Sequence, residues 1–424
     1  MKYPITCLCI LLSIWGAGLS ARAQAPEILT LEAACRAARQ HYPLARQSGL
    51  IEKSKEYSLD NAAKGYLPQV SINGQASYQS AVTRIPIRVP GMEVPALSRD
   101  QYRLYGEASQ VLFDGGMIRQ QQQAIAANSL VEAQQLEVDL YQVQARIQQL
   151  FFGILALDEQ LKQSELLKKD IQAGIHTTQG AIANGTALKS SGQVLQAELL
   201  KAEQHRSTLR ASRKAYTDML ALFVHLPLNE KTALAKPAPI PFSAAISRPE
   251  LQLFAYQRKK LDIQDKGIAA RQRPRINLFL QSGIGRPALN LLSNDLEPYA
   301  IGGIRMNWSL AGFYTGKNES ALLAVNRRSI DLQQETFLFN TQLAIKQQQA
   351  EIARLQELLL SDEAIIALRA GIRQAAAAQL ANGVILAHDY VREVNAEDQA
   401  RQMKIVHEIQ WLMALYQLQT TTGQ

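Results

Sequence analysis

Proline placement limits what this chain can fold into more than any other feature. Its fifteen prolines include none between Pro95 and Pro227 and none after Pro298. Proline removes a helical hydrogen bond and clashes with the preceding turn. A chain free of it for about 130 residues, twice over, can build helices far longer than three or four turns. Five prolines (Pro227, Pro237, Pro239, Pro241 and Pro249) crowd the stretch between the two runs. The sequence reads as one pattern written twice, over residues 24–226 and 249–424, around a proline-rich linker at 227–248.

Residues 1–23 read as a secretory signal. Lys2 gives a positive start, Ile5 to Trp15 an apolar run, and Ala21-Arg22-Ala23 the small residues a signal peptidase needs. Cleavage before Gln24 removes Cys7 and Cys9, neither in a lipid-attachment context, so no lipid anchor is expected. Cys35 is left alone, without an intrachain disulfide partner. No later segment has 18 consecutive apolar residues, so no transmembrane helix is expected. An exported chain of this kind is periplasmic, secreted or an outer-membrane β-barrel. The net charge of +8 falls to +6 without Lys2 and Arg22, and the basic residues are scattered. Nucleic acid is not an expected partner.

Each copy opens on a helix and passes into alternating strands. Thr30 is a candidate N-cap for a helix running toward Ala63 with a kink at Pro43. From Val70, apolar residues (Val70, Ile72, Ala76, Tyr78) alternate with polar ones (Ser71, Asn73, Gln75, Ser77). A loop with Pro86, Pro90, Gly91 and Pro95 follows. A second strand then sets Tyr102, Leu104, Ala108 and Leu112 against Arg103, Tyr105, Glu107 and Ser109. This predicts a β-hairpin over about 68–112, of the length that crosses an outer membrane. An ordinary hairpin on a soluble core is the alternative for a single copy. The second copy repeats it over about 274–309, with Ile276, Leu278, Leu280, Ile304, Met306 and Trp308 on the apolar face. Trp308 and Tyr102 stand near strand ends, where interfacial aromatics belong.

From the turns Val111–Gly116 and Trp308–Phe313, long helical hairpins are predicted over about 116–223 and 313–419. Each outgoing arm of nearly 70 residues would rise about 100 Å if unbroken. Leu136, Leu140, Val143, Ile147, Leu150, Ile154, Leu157 and Leu161 recur at four-three spacing, a coiled-coil seam resumed by Ile171, Ile175, Thr178 and Ile182. Ile345, Ile352, Leu355 and Leu359 keep it less cleanly. Asn184-Gly185-Thr186 and Asn382-Gly383-Val384 mark the tips, because Asn and Gly tolerate the left-handed conformation that ends a helix. The glutamines at 120–123 and 347–349 suit either the wall of a wet conduit or a plain solvated face.

Four strands cannot close a transmembrane barrel, and open edges are not tolerated in lipid, so the chain must oligomerise. Three protomers give twelve strands around a water-wide lumen, while two would give a barrel packed with side chains. No active site is legible. The six histidines are dispersed, no glycine-rich phosphate loop follows a strand, and Ser190-Ser191 lacks a nucleophile's partners. Neither catalysis, a cofactor nor a metal is expected.

Four features carry a resemblance. They are Leu29-Thr30-Leu31-Glu32-Ala33, Gly65-Tyr66-Leu67-Pro68-Gln69-Val70, Leu112-Phe113-Asp114-Gly115-Gly116 and the paired Asn-Gly tips. In this order, over essentially the whole mature chain, they make it resemble the TolC family of outer-membrane efflux proteins. The resemblance implies a fold of α plus transmembrane β with an internal two-fold repeat. That fold is a homotrimeric twelve-stranded barrel in the outer membrane of a Gram-negative bacterium, continued by a periplasmic α-helical barrel.

The resemblance also implies a passive exit duct in outer-membrane lipid, docked on a periplasmic adaptor (membrane fusion protein) and an inner-membrane pump. Drug efflux with an RND-type pump is the commonest use, and metal efflux and type I protein secretion are the others. A soluble periplasmic coiled-coil adaptor is the rival class. Docking is expected at Asn184, Gly185, Thr186, Asn382, Gly383 and Val384, unless these are merely turns. Counted from Gly383, Asp389 matches the first of the family's two aperture aspartates, Arg392 replaces the second, and Glu393 lies beside it. Ser191 stands where the first copy often has an aspartate and Ile385 where its arginine partner would be, so that gate-holding pair is missing. A solvated charged helix face is the alternative for Asp389, Arg392 and Glu393.

Overall fold

A computed structural model describes residues 28–83, 96–241, 245–290 and 293–424. The signal reading at 1–23 and the loop with Pro86, Pro90, Gly91 and Pro95 lie outside the described residues. The first elements are β1 (Ile28–Leu29), α1 (Leu31–His41) and α2 (Gln47–Ala63), followed by strands β2 (Gln69–Tyr78) and β3 (Asp100–Phe113). Then come the long helix α3 (Met117–Ala183), α4 (Lys189–Val224) and β4 (Ala233–Leu234). The order helix, two strands, long helix and shorter helix recurs in α5 (Pro249–Arg271), β5 (Arg275–Arg286), β6 (Glu297–Asn307), α6 (Ala311–Ala381) and α7 (Ala387–Thr422). No helix is long and apolar enough to cross a membrane among the described residues.

Local chemistry accounts for the punctuation. Thr30 caps α1, its hydroxyl accepting from the Ala33 amide at 3.2 Å. At Pro43 the expected kink is a full break. Tyr42 is held extended (ψ 131°) because the proline ring excludes the helical conformation before it, and a 3-10 turn over Pro43–Arg46 leads into α2. Leu67 is extended before Pro68 for the same reason. Asp114 starts α3 by accepting from the Gly116 and Ile118 amides, both at 2.7 Å. The turn needs Gly115, whose φ is +73°, and a Cβ there would lie 2.8 Å from that of Arg273.

The described chain divides into two compact units, each drawing on both halves of the sequence. In the unit of residues 39–149, 238–367 and 406–424, the strands form one antiparallel sheet of order β2-β3-β5-β6. Register puts Val70 opposite Ala108, Leu104 opposite Ile284 and Leu278 opposite Ile304, so one face is mostly apolar, with Gln110 and Ser282 as polar members and Asp100 and Arg286 at its end. That face is uncovered, Ile72 being 81% exposed and Ile304 68%. On the other face Glu107 accepts from Gln281 at 2.5 Å and from Arg305 at 2.7 Å, and the Arg305 guanidinium lies 4.3 Å over the Phe279 ring. Beneath the sheet, Ile51 of α2 packs on Leu136 and Leu140 of α3. Helix α5 is tied to α6 by Arg258–Asp331 at 3.1 Å and by Arg327–Asp262.

In the other unit (28–38, 150–237 and 368–405), β1 pairs in parallel with β4, and Arg213 of α4 binds Asp158 of α3. Of the predicted seam, Leu136, Leu140, Val143, Ile147 and Ile154 are buried, but Leu150, Leu157 and Leu161 are only half-buried. Burial passes instead to Phe151, Phe152 and Leu155 and then to Gln163 and Ser164. A strict seven-residue repeat drifts about 20° per heptad around a straight α-helix, so a seam of that length leaves its interface.

Candidate functional site

The two Asn-Gly turns have one geometry. At the end of α3 the Gly185 amide donates to the Ile182 carbonyl and the Thr186 amide reaches back to Ala181 at 2.9 Å. At the end of α6 the Gly383 amide donates to Leu380 and the Val384 amide to Gln379 at 2.8 Å. Each six-to-one bond satisfies a carbonyl that the helix end leaves free, and it requires a left-handed residue next to it. Gly185 and Gly383 supply it, with φ of +73° and +69°. No atom lies within 4 Å of where a Cβ would stand on either glycine, so conformation rather than crowding demands glycine there.

Thr186 adds a side-chain bond from its hydroxyl to Ala181, and the Asn382 amide does the same to Ala378 at 2.9 Å. Between the two turns lies a cleft of about 280 Å³. Thr178, Thr186, Leu188, Ser191, Ile385 and Leu386 line it, and the buried Thr178 hydroxyl has no hydrogen-bond partner. Leu188, Val384 and Leu386 turn apolar side chains to the surface.

Behind the turns α7 is held by a polar network. Asp389 in its first turn pairs with Arg392 at 3.6 Å, and the same guanidinium binds Glu393 at 3.0 Å. Arg369 of α6 reaches Glu393 at 3.4 Å. Arg373 binds the nearly buried Glu397 and also Asp170 of α3 at 3.5 Å, while Arg401 closes on Glu397 at 2.6 Å. Tyr390 is buried and donates to the Asp170 carbonyl at 3.2 Å. Burial, and then the Asp170 charge, push its phenol above the usual tyrosine value. Further back, burial raises the Asp398 carboxyl, partly opposed by the hydrogen bond from Gln163 at 2.9 Å. Cys35 is free, and burial with the nearby Glu32 charge pushes its thiol up to about 11, so it is a protonated, unreactive group at neutral pH.

No family model and no curated protein matches the chain. Solved structures do. The outer membrane protein VceC of Vibrio cholerae superposes with a TM-score of 0.64 at 12% identity, over 93% of this chain and 96% of that one. The CusC channel gives 0.68 at 13%, over 93% and 92%. The open state of the Neisseria gonorrhoeae MtrE outer membrane channel gives 0.63 at 14%, over 93% and 88%. The chain has the fold of the TolC-family outer-membrane channels. At such identities the likeness is one of backbone rather than of shared residues.

On this TolC-type fold, the six tip residues stand side by side in two turns of one shape. Asp389, Arg392 and Glu393 form one ion-paired cluster next to them. Ser191 and Ile385 line the same cleft, with no ion pair between them. Sequence reading missed the residues that hold the tips together: Asp170, Arg373, Tyr390 and Glu397. Two signals were present. Arg369/Arg373 and Glu393/Glu397 have matching i,i+4 spacing on helices predicted to face one another. Gly174 sits mid-helix, where glycine costs about 1 kcal/mol against alanine and needs a packing reason. The reason is Tyr390, whose ring would lie 2.6 Å from a Cβ at Gly174. Gly153 makes the same socket for Tyr216.

Proposed function

We propose that this chain is the outer-membrane exit duct of a tripartite export system, a passive conduit that works as a homotrimer. The carrying observation is the sheet. Its apolar face is uncovered, and its outer strands β2 and β6 each have an unpaired edge among the described residues. In lipid those edges must pair, and β6 of one copy against β2 of the next closes twelve strands with three copies. A soluble coiled-coil adaptor would have no use for such a face. Helix α6 carries a second uncovered surface, the stripe Leu322, Val325, Leu332, Phe339 and Leu343 at heptad spacing, which a neighbouring copy would cover. The structural neighbours are outer-membrane channels, which supports the same reading.

In this reading Asn184, Gly185, Thr186, Asn382, Gly383 and Val384 dock the periplasmic adaptor, their open surroundings leaving room for a partner. Three copies of Asp389 ring the inner aperture, each charge partly offset by its own Arg392. An RND-type pump with drug cargo is the leading assignment. Membrane fractionation with crosslinking tests the whole, and a monomer in the soluble periplasmic fraction would sink it. For the aperture, Asp389→Ala trimers in planar bilayers should lose cation selectivity and block by multivalent cations. Unchanged conductance would exclude the ring.

A further inference from the structure

The polar face of the sheet carries a charge pattern that neither barrel closure nor the tips account for. Glu107 and Arg305 pair on that face, but Arg275, on the same face, is exposed and makes no ion pair among the described residues. The β5–β6 register sets Arg275 opposite Asn307 and Asn277 opposite Arg305. Side chains in such a two-by-two block stand about 5 Å apart across the strands and about 7–8 Å apart on the diagonal. All four can donate hydrogen bonds, and the block holds two guanidiniums and no carboxylate.

Arg305 is fixed in place but not used up. Its guanidinium lies 4.3 Å over the Phe279 ring, and one terminal nitrogen donates to Glu107 at 2.7 Å, which leaves the rest of its fork free. Glu107 is fully engaged, because its second oxygen accepts from Gln281 at 2.5 Å. The Asn277 and Asn307 amides have no hydrogen-bond partner among the described residues. At the far end of the same face Arg103 and Glu297 share one row, each opposite Gly285, and offset one another. The uncompensated charge therefore sits at the end where β5 begins and β6 leads into α6.

We propose that this block binds oxyanionic groups of the cargo (carboxylate, phosphate or sulfonate) and that the barrel section of the duct favours anions. This rests on the channel reading, since it needs the polar face to line the lumen. In that assembly β6 lies beside β2 of the next copy. The residues β2 turns to the same face are Gln69, Ser71, Asn73, Gln75 and Ser77, so the neighbour brings no carboxylate to neutralise the arginines. Three copies then leave a ring of paired guanidiniums to the solutes that pass. Arginine's planar fork fits an oxyanion through two parallel hydrogen bonds, and a charged ring in a narrow lumen selects the opposite charge.

Planar-bilayer recording of full-length mature trimers tests this. In Asp389→Ala trimers, where the aperture carboxylate no longer contributes, chloride should permeate about twofold or more better than potassium, read from the reversal potential in a KCl gradient. Arg275→Gln should bring that ratio close to one. Inorganic pyrophosphate should block the current, and Arg275→Gln should raise the half-blocking concentration about tenfold, the loss of one charge-assisted contact. Arg103→Gln, at the far end of the face, should move it by less than about twofold. Arg275→Lys keeps the charge without the fork, so it should keep the chloride preference and lose most of the block. Asn307→Asp places a carboxylate opposite Arg275 and should act as Arg275→Gln does, which guards against one variant that fails to fold. A conducting Asp389→Ala trimer that prefers potassium, or a pyrophosphate block that survives Arg275→Gln, would overturn the proposal and leave the channel reading standing. Equal loss of block in Arg103→Gln would show diffuse charge instead of this site and overturn it too. A soluble monomer without conductance would remove the channel reading, and this proposal with it.

Discussion

Helices α3 and α6 occupy equivalent places in the two halves of the chain, with 67 and 71 residues, yet they are covered very differently. Helix α3 buries Leu136, Leu140, Val143, Ile147, Phe151, Phe152 and Ile154 within its own chain. Helix α6 fully buries little besides Ile345, Leu355 and Ala376, and leaves Leu322, Val325, Leu332, Phe339, Leu343, Leu360 and Leu368 exposed. Both have apolar residues at helical spacing, so periodicity alone reports that a face will be covered and says nothing of what covers it. Each large apolar side chain is worth about 1.5–3 kcal/mol when removed from water. The α3 residues realise that within one chain. The α6 residues leave it unrealised within one chain.

The strongest way to break this contrast is inside α3. Phe151 and Phe152 are fully buried with rings 6.3 Å apart and nearly perpendicular. Phe151→Ala or Phe152→Ala should cost about 3–5 kcal/mol, read as a fall in the denaturant midpoint of the chain itself. On α6 the expectation is reversed. Phe339→Asp with Leu343→Asp should convert trimers to monomers by light scattering. Helicity and monomer stability should stay within about 0.5 kcal/mol of the parent. Trimers surviving that change would show that the stripe is not the contact.

The tips provide a matched pair. Gly185→Val and Gly383→Val each force a left-handed branched residue, costing about 1–2 kcal/mol locally without any clash, read as faster amide exchange in the turn. Equal local cost with unequal loss of export would assign adaptor docking to one tip, whereas normal export from both would remove the docking role.

The smallest effect expected is at Asp398. Burial raises its carboxyl, and it faces Gln163 of α3, His205 of α4 and, on its own helix, Glu397 and Arg401. A raised value means that the folded state favours the protonated form. This group therefore stabilises the fold in acid, and its contribution is lost as pH rises through the folded value. Asp398→Asn should melt higher than the parent at neutral pH, by on the order of a degree, and alike in acid. A parallel shift at all pH values would show that the carboxyl's titration is not involved.

Much of this was legible in the residues. Long helices follow from missing proline, the strands from strict alternation, and both tips from Asn-Gly, because backbone sterics act over a few residues and leave their mark locally. Asp389, Arg392 and Glu393 are picked out only through the family resemblance, counted from Gly383, and no local pattern marks them. The Arg373–Glu397–Asp170 network and the Tyr390–Gly174 socket bring in residues some 200 positions apart in sequence, so the charge spacing on α6 and α7 and the mid-helix Gly174 hint at a partner without identifying Asp170 or Tyr390. The pairing of β3 with β5, which joins two hairpins into one sheet, is of that kind too. Sequence alone determined what each segment would be. Only tertiary structure decided which apolar faces find a partner within the chain, because burial is a property of neighbours and not of the residue that is buried.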